Sequence, residues 1–140
     1  MTNRRIAFIV KSQDPLVLSP EDTLARACQS MCERRVGAVL VSGPDRRIEG
    51  IFTGRDAVRA LAEGRSAQTT LASVMTRNPD TIAPQRTAID ALRAMNDGGY
   101  RHLPVVEGAT IVGIVSRGDF QGLELDRLEE ETALWERIAY

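Results

Sequence analysis

The sequence predicts a mixed α/β (α+β) fold: two tandem β-α-β-β-α repeats packed with pseudo-twofold symmetry, followed by a C-terminal helix. Three observations predict it. Residues recur at a fixed offset, each copy holds one amphipathic helical stretch, and each holds two short runs rich in β-branched residues. Pro15 pairs with Pro79, Pro20 with Pro84, Thr23 with Thr87, Ala27 with Ala91, Met31 with Met95 and Val41 with Val105, all 64 positions apart. Gly50 and Gly113, Ile51 and Ile114, and Asp56 and Asp119 follow at 63. The missing residue falls where Gly43-Pro44-Asp45 and Glu107-Gly108 mark a turn in each copy. Duplication of a folded unit leaves its length changes in such hairpin loops.

The elements follow in order. A short extended piece, Leu16–Leu18 or Thr81–Ala83, leads into a helix over Thr23 to Arg34 or Thr87 to Asp97. Leu24, Ala27, Cys28 and Met31, like Ala88, Ala91, Leu92 and Met95, recur at helical spacing and define one buried face. Two strands come next, Ala38–Val41 with Ile48–Phe52, then Leu103–Val106 with Ile111–Val115. Their nearly continuous apolar character suits strands covered by helices. A second helix opens at Thr53 and at Ser116. Neither repeat can bury its own apolar surface, so the halves are expected to pack face to face. Residues 1–140 form one module, with repeats over 9–70 and 73–125 and a helix over 126–140. Over the segment Leu123 to Tyr140, Leu125, Leu128, Thr132, Trp135 and Ala139 form a mostly apolar helix stripe opposite an acidic face. It is expected to fold back on its own domain or a dimer mate, burying Trp135.

Composition excludes several functions. The 140 residues carry a net charge of −1, without the basic excess that displaces counterions from nucleic acid. The early apolar run Ile6–Val10 is too short for a signal sequence, and nothing approaches a membrane span. The expected location is cytoplasmic, with no membrane partner. Cys28 and Cys32 share a helix face with only His102 as a further strong zinc ligand, short of the four a structural site needs. Reduced, packed thiols and no metal are expected. With one histidine and neither a Gly-x-Ser-x-Gly nor a phosphate-loop lysine motif, no nucleophile has an evident base, and no enzymatic activity is expected.

The chemistry concentrates at two matching segments, Gly50-Ile51-Phe52-Thr53-Gly54-Arg55-Asp56 and Gly113-Ile114-Val115-Ser116-Arg117-Gly118-Asp119. Each is a strand running into the first turn of a helix, where unpaired backbone N–H groups favour a phosphate. Arg55 and Arg117 can add charge-assisted bonds, and the acceptor-only carboxylates of Asp56 and Asp119 can take both hydroxyls of a ribose. A second reading fits the same residues: Ser/Thr-x-x-Asp is close to a capping box, which needs no ligand. His102, beside Arg101, is either a phosphate contact or a structural residue. Arg117-Gly118-Asp119 spells an adhesion tripeptide by coincidence.

The tandem pattern, with Val74-Met75-Thr76-Arg77-Asn78-Pro79 opening the second copy and His102-Leu103-Pro104-Val105-Val106 preceding its hairpin, resembles a CBS-domain pair over roughly Ile9 to Leu125. The resemblance implies a stand-alone regulatory module binding an adenine nucleotide (AMP, ADP or ATP), with S-adenosylmethionine or NAD-type molecules ranked after these. It implies that Asp56 and Asp119 grip ribose while Thr53 and Ser116 touch phosphate. The base would sit among Val17, Ala38 and Val39 in one pocket and Thr81, Leu103 and Pro104 in the other. Ser12 and Thr76 would line the entrances. A homodimer forming a disc of four repeats, and a separate protein partner regulated in trans, are further implications. The copies differ, however. The first lacks Leu-Pro-Val-Val, Lys11 stands opposite Met75, and Arg55 and Arg117 occupy different turn positions, so the pockets are not equivalent. The competing function is a structural dimeric adaptor with vestigial or empty pockets.

Overall fold

Residue preferences at the element ends set the architecture of residues 3–120, the part of the chain that the computed structural model describes. Expectations for the C-terminal helix, for Trp135 and for any helix beyond Phe120 lie outside the described residues. An N-terminal helix, α1 (Ile6–Val10), precedes the first repeat: β1 (Val17–Leu18), α2 (Leu24–Arg34), β2 (Ala38–Ser42), β3 (Ile48–Thr53) and α3 (Gly54–Ala62). A short helix α4 (Leu71–Val74) and strand β4 (Thr76–Arg77) link to α5 (Ala88–Gly98), β5 (His102–Glu107) and β6 (Thr110–Ser116). A single 3-10 turn, Arg117–Asp119, stands where a second helix was expected to open.

Thr23 starts α2 by accepting a hydrogen bond from the Arg26 N–H, and Thr87 with Asp90 caps α5 reciprocally. Both helices end on a left-handed residue, Gly99 (φ 72°) in the second copy but Arg35 (φ 54°) in the first. Glycine adopts that conformation freely, whereas arginine is strained by about 1–2 kcal/mol.

The first sheet runs β1-β2-β3-β4, with β1 parallel to β2 and the other pairs antiparallel. The second is the β5–β6 hairpin. The strand expected over Thr81–Ala83 reduces to one parallel bridge, Ile82 to Val105. The two hairpins carry irregularities at equivalent places, Val41/Ser42 and Val105/Val106, as duplication requires.

Three apolar clusters hold the molecule together. One packs Leu24, Ala27 and Met31 of α2 against Val39, Val41 and Phe52; its counterpart packs α5 against Leu103, Val105 and Val115. The third joins the two sheets through Ala38, Leu40, Ile51 and Ile111. Residues alternate faces along a strand, so β2 sends Val39 and Val41 to the helices and Ala38 and Leu40 to the opposite sheet.

Chain crossing closes both cores. Ile6 and Val10 of α1 are buried in the second repeat's cluster, where the Ile6 N–H donates to the Arg86 carbonyl at 2.8 Å and the Ala88 N–H to that of Arg4 at 2.7 Å. Conversely, Leu71 of α4 is buried in the first repeat's cluster, and its N–H reaches the Asp22 carbonyl at 2.8 Å. Each repeat is sealed by the short helix that precedes the other. The motif glycines accommodate this crossing: a Cβ on Gly50 would lie 2.5 Å from Met75 Sδ, and one on Gly113 would lie 2.7 Å from Val10 Cβ.

Candidate ligand clefts

Both strand-to-helix junctions open onto clefts between the repeats. The first cleft, about 610 Å³, is lined by Thr53, Arg55, Asp56, Arg59, Thr76 and Tyr100, among others. The second, about 390 Å³, is lined by Asp14, Arg34, Arg35, Ala38, Ser116 and Asp119. Gly37 and His102 line both clefts and form the wall between them. The imidazole lies so close to Gly37 that a Cβ there would be 3.0 Å from Nε2. Burial first, then the Arg101 guanidinium, holds the His102 pKa below its ordinary value, against the opposing pull of the Asp119 carboxylate.

The capping geometry is present in both copies. At the first junction the Thr53 N–H donates to Asp56 Oδ2 at 2.9 Å and the Thr53 hydroxyl stands 3.2 Å from the same oxygen. The Asp56 N–H donates back to Thr53 Oγ1 at 3.4 Å. Asp56 is only 4% exposed, and its Oδ1 accepts from Arg59 Nη1 at 3.1 Å, with the Thr76 hydroxyl 3.5 Å away. At the second junction the Ser116 N–H donates to Asp119 Oδ2 at 2.7 Å and the Ser116 hydroxyl lies at 3.2 Å. Asp119 is exposed, and its Oδ1 has no hydrogen-bond partner among the described residues. Capping and an open cleft therefore coexist at the same residues.

The structure gathers Thr53, Arg55, Asp56, Thr76 and His102 on the first cleft, and Ala38, His102, Ser116 and Asp119 on the second. Other residues expected at a ligand lie elsewhere. Val39 and Leu103 are fully buried beneath the helices, one residue out of register with the cleft-lining Ala38 and His102. A slip of one position reverses the face of a strand residue. Pro104 is buried in its strand, and Val17 packs between the sheets. Thr81 is exposed in a separate hollow beside Asp97. Ser12 is exposed on the turn after α1 and lines neither cleft. Arg117 also lines neither, its N–H donating to the Arg101 carbonyl at 3.0 Å.

Sequence reasoning missed Arg59, Arg34, Arg35 and Tyr100. Arg59 was detectable, since it falls three residues after Asp56 on a helix, at ion-pairing distance. Arg34 and Arg35 were detectable too, standing at the 64-residue offset from Gly98 and Gly99. Tyr100 is fixed by a 2.9 Å bond from its hydroxyl to Asp80, and burial together with that carboxylate pushes its pKa up to about 12. Among the described residues, no cluster of three or more His, Cys, Asp or Glu side chains could hold a metal, and no helix is long and apolar enough to cross a membrane. Cys28 and Cys32 are free thiols, with burial raising the pKa of Cys28.

Comparison with known proteins places this geometry among relatives. The family profile "CBS domain" matches residues 9–63 and 71–123. The CBS domain-containing protein CBSCBSPB2 of Arabidopsis thaliana is 41% identical over 102 residues, 71% of this chain, although the chain spans only 19% of that protein's length. The CBS domain-containing protein YhcV of Bacillus subtilis is 33% identical over 117 residues, covering 83% of this chain and 81% of YhcV. Among solved structures, the CBS domain protein PAE2072 from Pyrobaculum aerophilum, complexed with AMP, superposes with a TM-score of 0.82 at 22% identity, covering 90% of this chain and 98% of that one.

Proposed function

The chain belongs to the CBS-domain family, and from that premise we propose that it is a regulatory module that binds an adenine nucleotide (AMP, ADP or ATP) between its repeats and signals to a separate protein. The observation that carries this reading is the open cleft in front of each strand-to-helix junction, faced by a hydroxyl and a carboxylate. A ribose diol supplies donors to the carboxylate, and arginines at the rim suit phosphate. The AMP complex of PAE2072 adds weight by analogy of fold. A ligand acts on the partner only by binding one arrangement of the repeats better than another.

Thermal melts test the proposal with AMP, ADP, ATP, S-adenosylmethionine and NADH in turn. A nucleotide at about a hundred times its Kd adds about 2.7 kcal/mol, which raises Tm by several degrees. No shift with any of the five favours the second reading, a structural homodimeric adaptor whose clefts stay empty. Two observations speak for that alternative. Both aspartates already serve as caps, and Val58 and Leu61 on α3 stand 69% and 79% exposed, an apolar pair suited to a second copy of the chain.

A further inference from the structure

The two clefts present their aspartates in different states of engagement. A carboxylate offers about four lone-pair positions. At Asp56 four donor groups already approach it: the Thr53 N–H at 2.9 Å and hydroxyl at 3.2 Å on Oδ2, with Arg59 at 3.1 Å and Thr76 at 3.5 Å on Oδ1. At Asp119, which lines the second cleft, the Ser116 N–H and hydroxyl occupy Oδ2 alone, and Oδ1 has no donor from the described residues. A ribose needs two acceptor positions for its two hydroxyls, and Asp119 has them.

We infer that the clefts fill in a fixed order, set by Arg59: the Asp119 cleft takes any adenosine-type ligand, whereas the Asp56 cleft admits only one whose phosphate draws Arg59 off the carboxylate. This inference rests on the adenine-nucleotide reading and adds the charge class that each cleft accepts. Breaking the Arg59–Asp56 pair would strip an almost fully buried carboxylate of its ion-pair partner, and a neutral nucleoside offers that guanidinium no other anion in exchange. The Arg59 side chain is more than half exposed and lines the same cleft, so a phosphate there can engage it bidentately while the sugar takes its place on Asp56.

Calorimetric titration with adenosine and with AMP provides the test. The wild-type chain is expected to bind adenosine at one site per chain and AMP at two, the tighter AMP site being the adenosine site. Asp119→Asn, which keeps the Ser116 contacts, is expected to weaken adenosine binding by about tenfold to about a hundredfold. Arg59→Gln, at an exposed helix position, is expected to open a second adenosine site. Adenosine filling two sites in the wild type, or an adenosine site unaffected by Asp119→Asn, overturns the ordering. So does an Arg59→Gln variant still limited to one adenosine. If the wild type binds neither adenosine nor AMP, the nucleotide reading fails, and the ordering with it.

Discussion

His102 is the residue on which both clefts converge, and it is the chain's single histidine, so its imidazole gives one assignable signal. Because burial and Arg101 hold its folded pKa below the unfolded value of about 6.5, the unfolded chain binds the proton more readily. Stability should therefore fall as pH drops from about 7 through about 6.5 toward the folded pKa, and His102→Gln should flatten that slope in melts across pH. In an NMR titration the wild-type midpoint should lie below about 6.5 and rise when a phosphate occupies either cleft. Gly50→Ala tests a different contact. Its Cβ would meet Met75 Sδ at 2.5 Å and the Thr76 carbonyl at 2.9 Å, so a loss of about 1–3 kcal/mol is expected in denaturant unfolding. At this scale the hydroxyl and acid of each junction were legible because their spacing repeats. On β2 and β5 the site was legible only in part: Ala38 and His102 line the clefts as expected, but Val39, Leu103 and Pro104 do not, because both faces of those strands are buried and an apolar run carries no alternation to show which side chain meets a ligand.

Among the elements, α1 does work out of proportion to its five residues. Ile6 is 0% exposed and Val10 6%, both in the core of the second repeat, so Ile6→Ala should cost about 2–5 kcal/mol. Hydrogen exchange should show the loss first in β5 and β6, far along the sequence from the substitution. If β2 and β3 lost protection first instead, the crossed packing would be wrong. Thr87→Ala, which removes the cap of α5, should cost about 1 kcal/mol in the same unfolding assay. The long helices were read from sequence to within a residue, since eleven positions show their 3.6-residue period plainly. A helix of four or five residues has no such period: α1 reads only as an apolar run, and α4 straddles the boundary expected between the two repeats. The extended piece at Thr81–Ala83 shrinks to a single bridge because its neighbour β5 is met only at Ile82.

The whole molecule depends on the seam between the sheets. Leu40, Ile51 and Ile111 are nearly inaccessible there, and the hairpins bond turn to turn, Ile48 N–H to the Ala109 carbonyl and Ile111 N–H to that of Arg46, each at 2.9 Å. One cooperative unfolding transition is expected, with Ile111→Ala lowering it by about 2–5 kcal/mol without splitting it. Two separate transitions in calorimetry would show that the repeats are independent. The pseudo-twofold pairing was legible because duplication preserved spacing, whereas the exchange of sealing helices was hidden, since nothing in a sequence tells a segment to pack on the distant copy. That exchange bears on how the protein is made. Of the described elements α1 leaves the ribosome before all the others, yet its seat is assembled from residues between Ile82 and Phe120. That helix therefore waits with Ile6 and Val10 in water until the second repeat has emerged, and a nascent chain released before then is left with an unsealed first repeat and an unclaimed apolar helix, the kind of surface that chaperones hold.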